Sequence, residues 1–135
     1  MTYGFIGTGN MGGALARAAA KAIGGENVLL YNRTMEKAEK VARELGAKTA
    51  SAEDIAARCD YVFLGVKPGQ IPALLAALRP VLESRKTPAT VVSMAAGVTL
   101  KALRDNAFAD CPIIRIMPNT ACAVGAGLVL YDGND

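Results

Sequence analysis

A glycine-rich turn near the N-terminus constrains the fold of this chain more than any other feature. Glycines at positions 7, 9 and 12 form the pattern GxGxxG, between an apolar run at Tyr3–Ile6 and a helical pattern at Asn10–Ile23. The first glycine of such a pattern permits a tight turn, and the second lets the backbone approach a bound group closely. The third lets the helix pack closely on the strand. The pattern therefore predicts a strand–turn–helix unit that begins an α/β domain.

Strand-like and helix-like segments alternate through the rest of the chain. Apolar runs predict further strands at Val28–Tyr31, Ala47–Ala50, Tyr61–Val66, Thr90–Met94, Ile113–Met117 and Gly127–Tyr131. Helices are predicted from a Thr34 cap to Leu45, where Gly46 stops the helix, from a Ser51–Asp54 cap to Arg58, and at Ile71–Leu82 and Leu100–Asn106. The inward face of the first helix is predicted to be Met11, Ala14, Leu15, Ala18 and Ala22. The alternation predicts an α/β fold, a Rossmann-type doubly wound, mostly parallel sheet with helices on both faces.

Length and composition narrow the class of protein. A chain of 135 residues suits one domain, and 52% hydrophobic with 20% charged residues is typical of a globular protein with a core. The longest apolar runs are strand-sized, too short to cross a membrane, and no basic-then-apolar leader opens the chain. The net charge of +3 comes without a dense basic cluster, which argues against nucleic-acid binding.

Cysteine and histidine usage excludes several kinds of chemistry. Cys59, Cys111 and Cys122 are odd in number and show no CxxC spacing, which argues against a disulfide framework or a metal site. The same pattern fits a reducing cytoplasm. The chain has no histidine, so it cannot supply a Ser-His or Cys-His nucleophile or an imidazole acid or base.

The glycine turn and the helix that follows it indicate a dinucleotide. A helix N-terminus offers free N–H groups and a partial positive charge, and the turn brings the backbone close to a pyrophosphate. The alternative is a tight strand–helix turn that binds nothing. Because the pattern follows a strand and opens a helix, we favour dinucleotide binding.

The residues after the second predicted strand bear on which dinucleotide is bound. An acidic residue about 20 positions past the glycines would accept hydrogen bonds from the ribose of NAD. That position holds Asn32, followed by Arg33 and Thr34. A guanidinium pairs well with a 2′-phosphate, and the amide and hydroxyl can add hydrogen bonds. NADP is therefore favoured over NAD; the alternative is that Arg33 is a solvated charge and Thr34 only a helix cap.

Three later loops lie at the same edge of the predicted sheet, where ligands bind in open parallel sheets. Lys67 follows the strongest predicted strand and could reach a ribose hydroxyl or a carboxylate. Small residues at 95–97 would let a flat ring approach the backbone, and the Asn119 amide could hold a carboxamide or a ribose. The alternative is that each is an ordinary strand-end or turn residue.

Five segments, in order along the chain, resemble pyrroline-5-carboxylate reductases: Gly4–Gly12, Asn32–Thr34, Val66–Pro68, Ala95–Thr99 and Arg115–Thr120. The resemblance covers essentially the whole chain. It implies NADPH-dependent reduction of 1-pyrroline-5-carboxylate, a cyclic imine carboxylate, to L-proline by hydride delivery to the imine carbon, with NADH as the alternative cofactor. It also implies a set of cofactor-binding residues, namely Ile6, Gly7, Thr8, Gly9, Asn10, Met11, Gly12, Asn32, Arg33, Thr34, Val66, Lys67, Pro68, Ala95, Ala96, Gly97 and Asn119.

The resemblance implies a place for each segment of that set. The residues from Ile6 to Met11 would hold the pyrophosphate, and Asn32–Thr34 would surround the adenosine phosphate. The nicotinamide end would be lined by Val66–Pro68 and Ala95–Gly97, with Asn119 completing that wall.

Two departures from the family pattern matter. Ala121 stands where the family commonly has proline, which removes no functional group. The family's second, helical domain, which forms the dimer and supplies most of the substrate-binding loop, is expected to lie outside residues 1–135. We therefore predict that residues 1–135 are an NADP-binding domain with little or no turnover by itself. The catalytic residues are expected in the other domain, and the full-length protein is expected to be a homo-oligomer.

Three other functions fit part of the sequence. A β-hydroxyacid dehydrogenase would carry Ser-Gly-Gly near residues 118–125, where this chain has Pro118-Asn119-Thr120. The sequence excludes a deazaflavin-dependent NADP oxidoreductase less well than it excludes a β-hydroxyacid dehydrogenase. A non-catalytic nucleotide-binding regulatory domain fits the absence of histidine, although hydride transfer also fits it because that chemistry resides in the cofactor.

Overall fold

The fold is seen in a computed structural model, which describes residues 2–7, 10–93, 101, 103, 112–117 and 130–133. In these ranges the strands are β1 (Tyr3–Ile6), β2 (Val28–Tyr31), β3 (Lys48–Thr49), β4 (Tyr61–Leu64), β5 (Thr90–Ser93), β6 (Ile113–Met117) and β7 (Leu130–Gly133). The helices are α1 (Asn10–Ile23), α2 (Met35–Leu45), α3 (Ala52–Arg58) and α4 (Ile71–Glu83). Lys101 and Leu103 are also helical. Within the described ranges, no helix is long and apolar enough to cross a membrane.

The described strands form one sheet in the order β3-β2-β1-β4-β5-β6-β7. Six strands run parallel, and β7 pairs antiparallel with β6. The order reverses at β1, which lies between β2 and β4. Ile6 is level with both Tyr31 and Leu64, so these three strands reach the same edge of the sheet together. The predicted doubly wound, mostly parallel sheet is confirmed, and its reversal point is where such sheets bind ligands.

Both faces of the sheet are covered by helices. Phe5 and Leu30 belong to a core cluster with residues of α1 and α2, whereas Ile6 and Leu29 belong to a second cluster with residues of α3 and α4. Successive residues of a strand point to opposite faces, so one strand contributes to both clusters. This explains why the strands are apolar throughout rather than alternating.

The buried face of α1 differs from the predicted one. Ala16 is fully buried, and Ala20 and Ile23 pack against the same cluster, whereas Ala22 is exposed and Ala18 is only half-buried. The prediction is correct for Ala14, which is buried, and for the half-buried Leu15, which packs on this cluster. Met11 lies in the helix, but its side chain is outside the described structure.

Local sequence signals set the beginnings and ends of the helices as expected, with one exception. The Ser51 hydroxyl accepts a hydrogen bond from the Asp54 N–H at 3.1 Å, which confirms the predicted cap of α3. Gly46 adopts a φ of 68° and ends α2. Thr34 occupies the first cap position of α2, but its side chain makes no capping hydrogen bond. The Asn32 side-chain amide instead donates to the Thr34 carbonyl oxygen at 3.1 Å.

Several predicted bounds shift by a few residues. The fourth strand ends at Leu64 rather than Val66. The third begins at Lys48 rather than Ala47, because the Ala47 N–H donates to the Ala42 carbonyl at the end of α2, at 2.9 Å, and it ends at Thr49. α4 continues to Glu83. The last strand runs to Gly133, and residues 127–129 lie outside the described residues, as do Met94 and most of the predicted helix at 100–106.

Arg85 closes the C-terminal end of α3 from a distant part of the chain. Its Nη1 donates to the carbonyl oxygens of Ala56 at 2.7 Å and Cys59 at 2.6 Å. We expect Arg85→Met to lower the free energy of unfolding by about 1–3 kcal/mol, because two partly buried carbonyls lose a charged donor. Urea denaturation measures this change. The exposed neighbour Lys86 provides a control, since Lys86→Met should change the free energy of unfolding by less than about 0.5 kcal/mol. Equal losses in the two variants would contradict the stabilising role of the Arg85 hydrogen bonds.

Burial raises the pKa of the Cys59 thiol from its ordinary value of 9.0 to about 11, and nearby Arg58 and Arg85 lower it by less. The folded state therefore favours the neutral thiol. Its contribution to stability is complete below about pH 9 and is lost as the pH rises through about 11, up to roughly 2–3 kcal/mol. Unfolding free energies measured from about pH 8 to pH 11 should fall more steeply for the wild type than for Cys59→Ala. Parallel slopes would refute this linkage.

Candidate functional site

A cleft of about 610 Å³ opens where β1, β2 and β4 end together. Its size lies within the range of small-molecule sites in proteins, roughly 300–1,000 Å³. The described residues that line it are Ile6, Gly7, Tyr31, Asn32, Arg33, Gly65, Val66, Lys67, Gly69, Gln70, Ala73 and Leu74. The cleft is therefore built from the strand ends on one side and from the start of α4 on the other.

Gly7 forms the floor of the cleft, in a conformation that a side chain would disturb. Its φ is +98°, and a Cβ built on it would lie 2.6 Å from the backbone carbon of Gly65. Two hydrogen bonds hold this floor: the Gly7 N–H donates to the Tyr31 carbonyl at 2.8 Å, and the Gly65 N–H donates to the Ile6 carbonyl at 2.7 Å. The tight-turn role predicted for Gly7 is confirmed.

The N-terminus of α1 lies just past this floor. α1 begins at Asn10 and has no acidic residue in its first turn. Its partial positive charge is therefore not offset by a carboxylate of its own first turn, and this end of the helix favours an anion. Asn10, Met11 and Gly12 are helical, but their side-chain environment is outside the described structure.

Two of the described lining residues give the cleft positive charge. Arg33 and Lys67 both line it and both are exposed, while Asn32 beside them is half-buried. None of the described lining residues is acidic. This arrangement attracts an anionic group and offers no carboxylate to repel a phosphate. Thr34 is exposed and is not among the described lining residues.

The structure brings together six of the predicted cofactor-binding residues in one cleft: Ile6, Gly7, Asn32, Arg33, Val66 and Lys67. Thr8, Gly9, Ala95, Ala96, Gly97 and Asn119 lie outside the described residues. Pro68 begins a short 3-10 turn, but its side chain is not described.

Sequence reasoning missed the wall contributed by the first turn of α4 and its cap residue. Gln70, Ala73 and Leu74 line the cleft at a spacing that places them on one face of a helix. The available signal was their position immediately after a predicted strand end, where ligands approach an open parallel sheet.

Curated proteins from two bacteria resemble this chain along nearly its whole length. Pyrroline-5-carboxylate reductase of Escherichia coli is 36% identical over 135 residues, covering 97% of this chain and 49% of that protein. The reductase of Corynebacterium melassecola is 34% identical over 129 residues, covering 94% of this chain and 48% of that protein. The chain thus spans about half the length of these curated relatives.

A solved structure extends the resemblance to the fold. Pyrroline carboxylate reductase of Plasmodium falciparum, with NADP bound, superimposes with a TM-score of 0.85 at 29% identity. The match covers 100% of this chain and 48% of that one. The resemblance to pyrroline-5-carboxylate reductases inferred from the motifs is therefore confirmed.

A protein-family model also matches the part of the chain that contains the cleft. It covers residues 2–97, more than half of the chain, and is described as NADP oxidoreductase coenzyme F420-dependent. This range includes the glycine turn, Arg33 and the first turn of α4. The chain belongs to this family of NADP oxidoreductases.

Proposed function

We propose that residues 1–135 form the NADP(H)-binding domain of a reductase that converts 1-pyrroline-5-carboxylate to L-proline. The observation that carries the proposal is the cleft at the end of β1. There Gly7 adds no side chain to the floor, and Arg33 and Lys67 supply positive charge. The names of the curated relatives support the substrate.

The described residues fit the cofactor's anionic half. A Cβ at Gly7 would meet backbone, so only a glycine keeps this floor low enough for a pyrophosphate beside the N-terminus of α1. Arg33 would take the 2′-phosphate, since a guanidinium matches the geometry of phosphate oxygens. Asn32 would steady this wall through its hydrogen bond to the Thr34 carbonyl.

The nicotinamide end belongs to the proposal on the strength of the sequence motifs. Val66 and Lys67, with Pro68, Ala95–Gly97 and Asn119, are proposed to orient the ring. The reduced nicotinamide supplies the hydride when it is bound. The chain has no histidine, so the residues named here bind and orient rather than carry an imidazole proton.

Further elements of the proposal concern the longer relatives. We place the groups that hold the imine carboxylate, and the catalytic residues, in the half of those proteins that this chain does not span. We also propose a homo-oligomeric, cytoplasmic reductase. The absence of CxxC spacing among the three cysteines is compatible with a reducing compartment.

A chimera tests the proposed function directly. Residues 1–135 replace the matching half of the Escherichia coli relative, to which 97% of this chain aligns. We expect the chimera to oxidise NADPH only when 1-pyrroline-5-carboxylate is added, and to form proline. Residues 1–135 alone should bind NADPH and show little or no turnover. A folded chimera that binds NADPH but leaves the imine unreduced would contradict the proposal.

The family description favours one other candidate function. A coenzyme F420-dependent NADP oxidoreductase would pass a hydride between NADP and a deazaflavin, and the match over residues 2–97 includes the whole described cleft. Adding oxidised deazaflavin to the chain with NADPH separates the two. Rapid reduction of the deazaflavin would favour the alternative, and no reduction is expected from the imine-reductase proposal.

A further inference from the structure

The cap residue and the first turn of α4 present a mixed polar and apolar wall to the cleft. Gln70, Ala73 and Leu74 are spaced i, i+3 and i+4, and all three line the cleft. The adjoining face of α4 is buried in the core and includes Leu75 and Leu78, and Leu74 packs against the same cluster. Because that face is packed against the sheet, the wall has a fixed position.

The Gln70 carboxamide stands at the polar edge of this wall. Its backbone N–H donates to the Lys67 carbonyl at 2.9 Å, which anchors the residue. Its side chain is exposed and makes no capping hydrogen bond to α4 in the described structure. Ala73 is exposed and Leu74 is half-buried, so both offer apolar surface beside the amide. Such a wall fits a flat heteroaromatic ring with a polar edge.

We propose that Gln70 sets the specificity for the purine base of the cofactor by pairing its amide with the edge of adenine. This inference rests on the proposed function, because it takes the base to lie beyond the ribose whose phosphate pairs with Arg33. At its N6/N7 edge adenine presents an amino donor beside a ring-nitrogen acceptor, and a glutamine amide offers the complementary acceptor and donor. At the same edge hypoxanthine presents two acceptors, O6 and N7, so the amide can satisfy only one of them in either orientation.

A binding comparison on the chain as it stands tests Gln70. Calorimetry measures the affinities for NADPH and for reduced nicotinamide hypoxanthine dinucleotide phosphate. We expect the wild type to favour NADPH by about fivefold or more, and Gln70→Ala to bind the two within about twofold of each other. In Gln70→Ala the affinity for NADPH should fall, and the affinity for the hypoxanthine dinucleotide should stay nearly unchanged. Thr87→Ala is the control, because Thr87 is an exposed, uncharged polar residue outside the described cleft lining, and it should keep the wild-type preference.

The outcomes separate this inference from the function it rests on. Equal affinities in the wild type, or an unchanged preference in Gln70→Ala, would overturn the role of Gln70 and leave NADPH binding in place. A folded wild-type chain that binds neither dinucleotide would overturn both. Loss of the preference in Gln70→Ala together with its retention in Thr87→Ala would support the proposal.

Discussion

Gly7→Ala should both lower the free energy of unfolding and abolish cofactor binding. A residue with a side chain is strained at a φ of +98°, and the added Cβ would lie 2.6 Å from the Gly65 carbon and 2.9 Å from the Val66 nitrogen. These are backbone atoms of the adjoining strand end, which cannot rotate away. We expect a loss of about 3 kcal/mol or more in unfolding free energy, from backbone strain of about 1–3 kcal/mol and the contact combined.

Two other glycines separate strain from contact. Gly46 has a φ of +68°, but a Cβ there meets nothing within 4 Å, so Gly46→Ala should cost only the strain, about 1 kcal/mol. Gly69 has no positive φ and no atom within 4 Å of a built Cβ, so Gly69→Ala should hardly change the free energy of unfolding. Chemical denaturation ranks the three variants. If Gly7→Ala costs no more than Gly46→Ala, the close approach of β1 and β4 does not matter for stability.

Arg33→Ala should erase the preference for the phosphorylated cofactor. A charge-assisted hydrogen bond between a guanidinium and a phosphate is worth about 1.5–3 kcal/mol, so NADPH affinity should fall by about 10- to 100-fold. NADH lacks that phosphate, and its affinity should change by less than about twofold. Calorimetric titration with each dinucleotide measures both, and the NADPH advantage of the wild type should shrink as salt is added.

Arg43→Ala is the matched control for Arg33. Arg43 is an exposed arginine in the last turn of α2, away from the described cleft lining, and its removal changes the net charge equally. We expect it to leave the NADPH-to-NADH ratio unchanged. An equal loss of NADPH affinity in both variants would mean that overall charge, rather than a contact at Arg33, sets the preference.

Local sequence signals predicted most element ends because each depends on a few neighbouring residues. Gly46 ends α2 through a left-handed φ, and Ser51 caps α3 with its hydroxyl, as their types suggest. Thr34 shows where such signals fail. Its hydroxyl makes no cap, because capping depends on a side-chain rotamer, and a residue type does not determine that rotamer.

The orientation of α1 and the wall of α4 depend on distant parts of the chain. Alanine occupies six positions between 14 and 22, so several faces of α1 look equally apolar, and only packing against Phe5 and Leu30 selects the one with Ala16. Gln70 lines the cleft because of the same kind of long-range effect. Its place in the same cleft as Arg33 follows from β4 lying beside β1 and β1 beside β2, and that order is not a local property.

The most direct test of the central claim is a parallel calorimetric titration of the wild-type chain with NADPH and NADH, with folding checked by circular dichroism. We predict saturable binding of NADPH and an affinity for NADH lower by about tenfold or more, because the cleft carries Arg33 and none of its described lining residues is acidic. A folded chain that binds neither dinucleotide, or that binds NADH as tightly as NADPH, would contradict this account of the cleft.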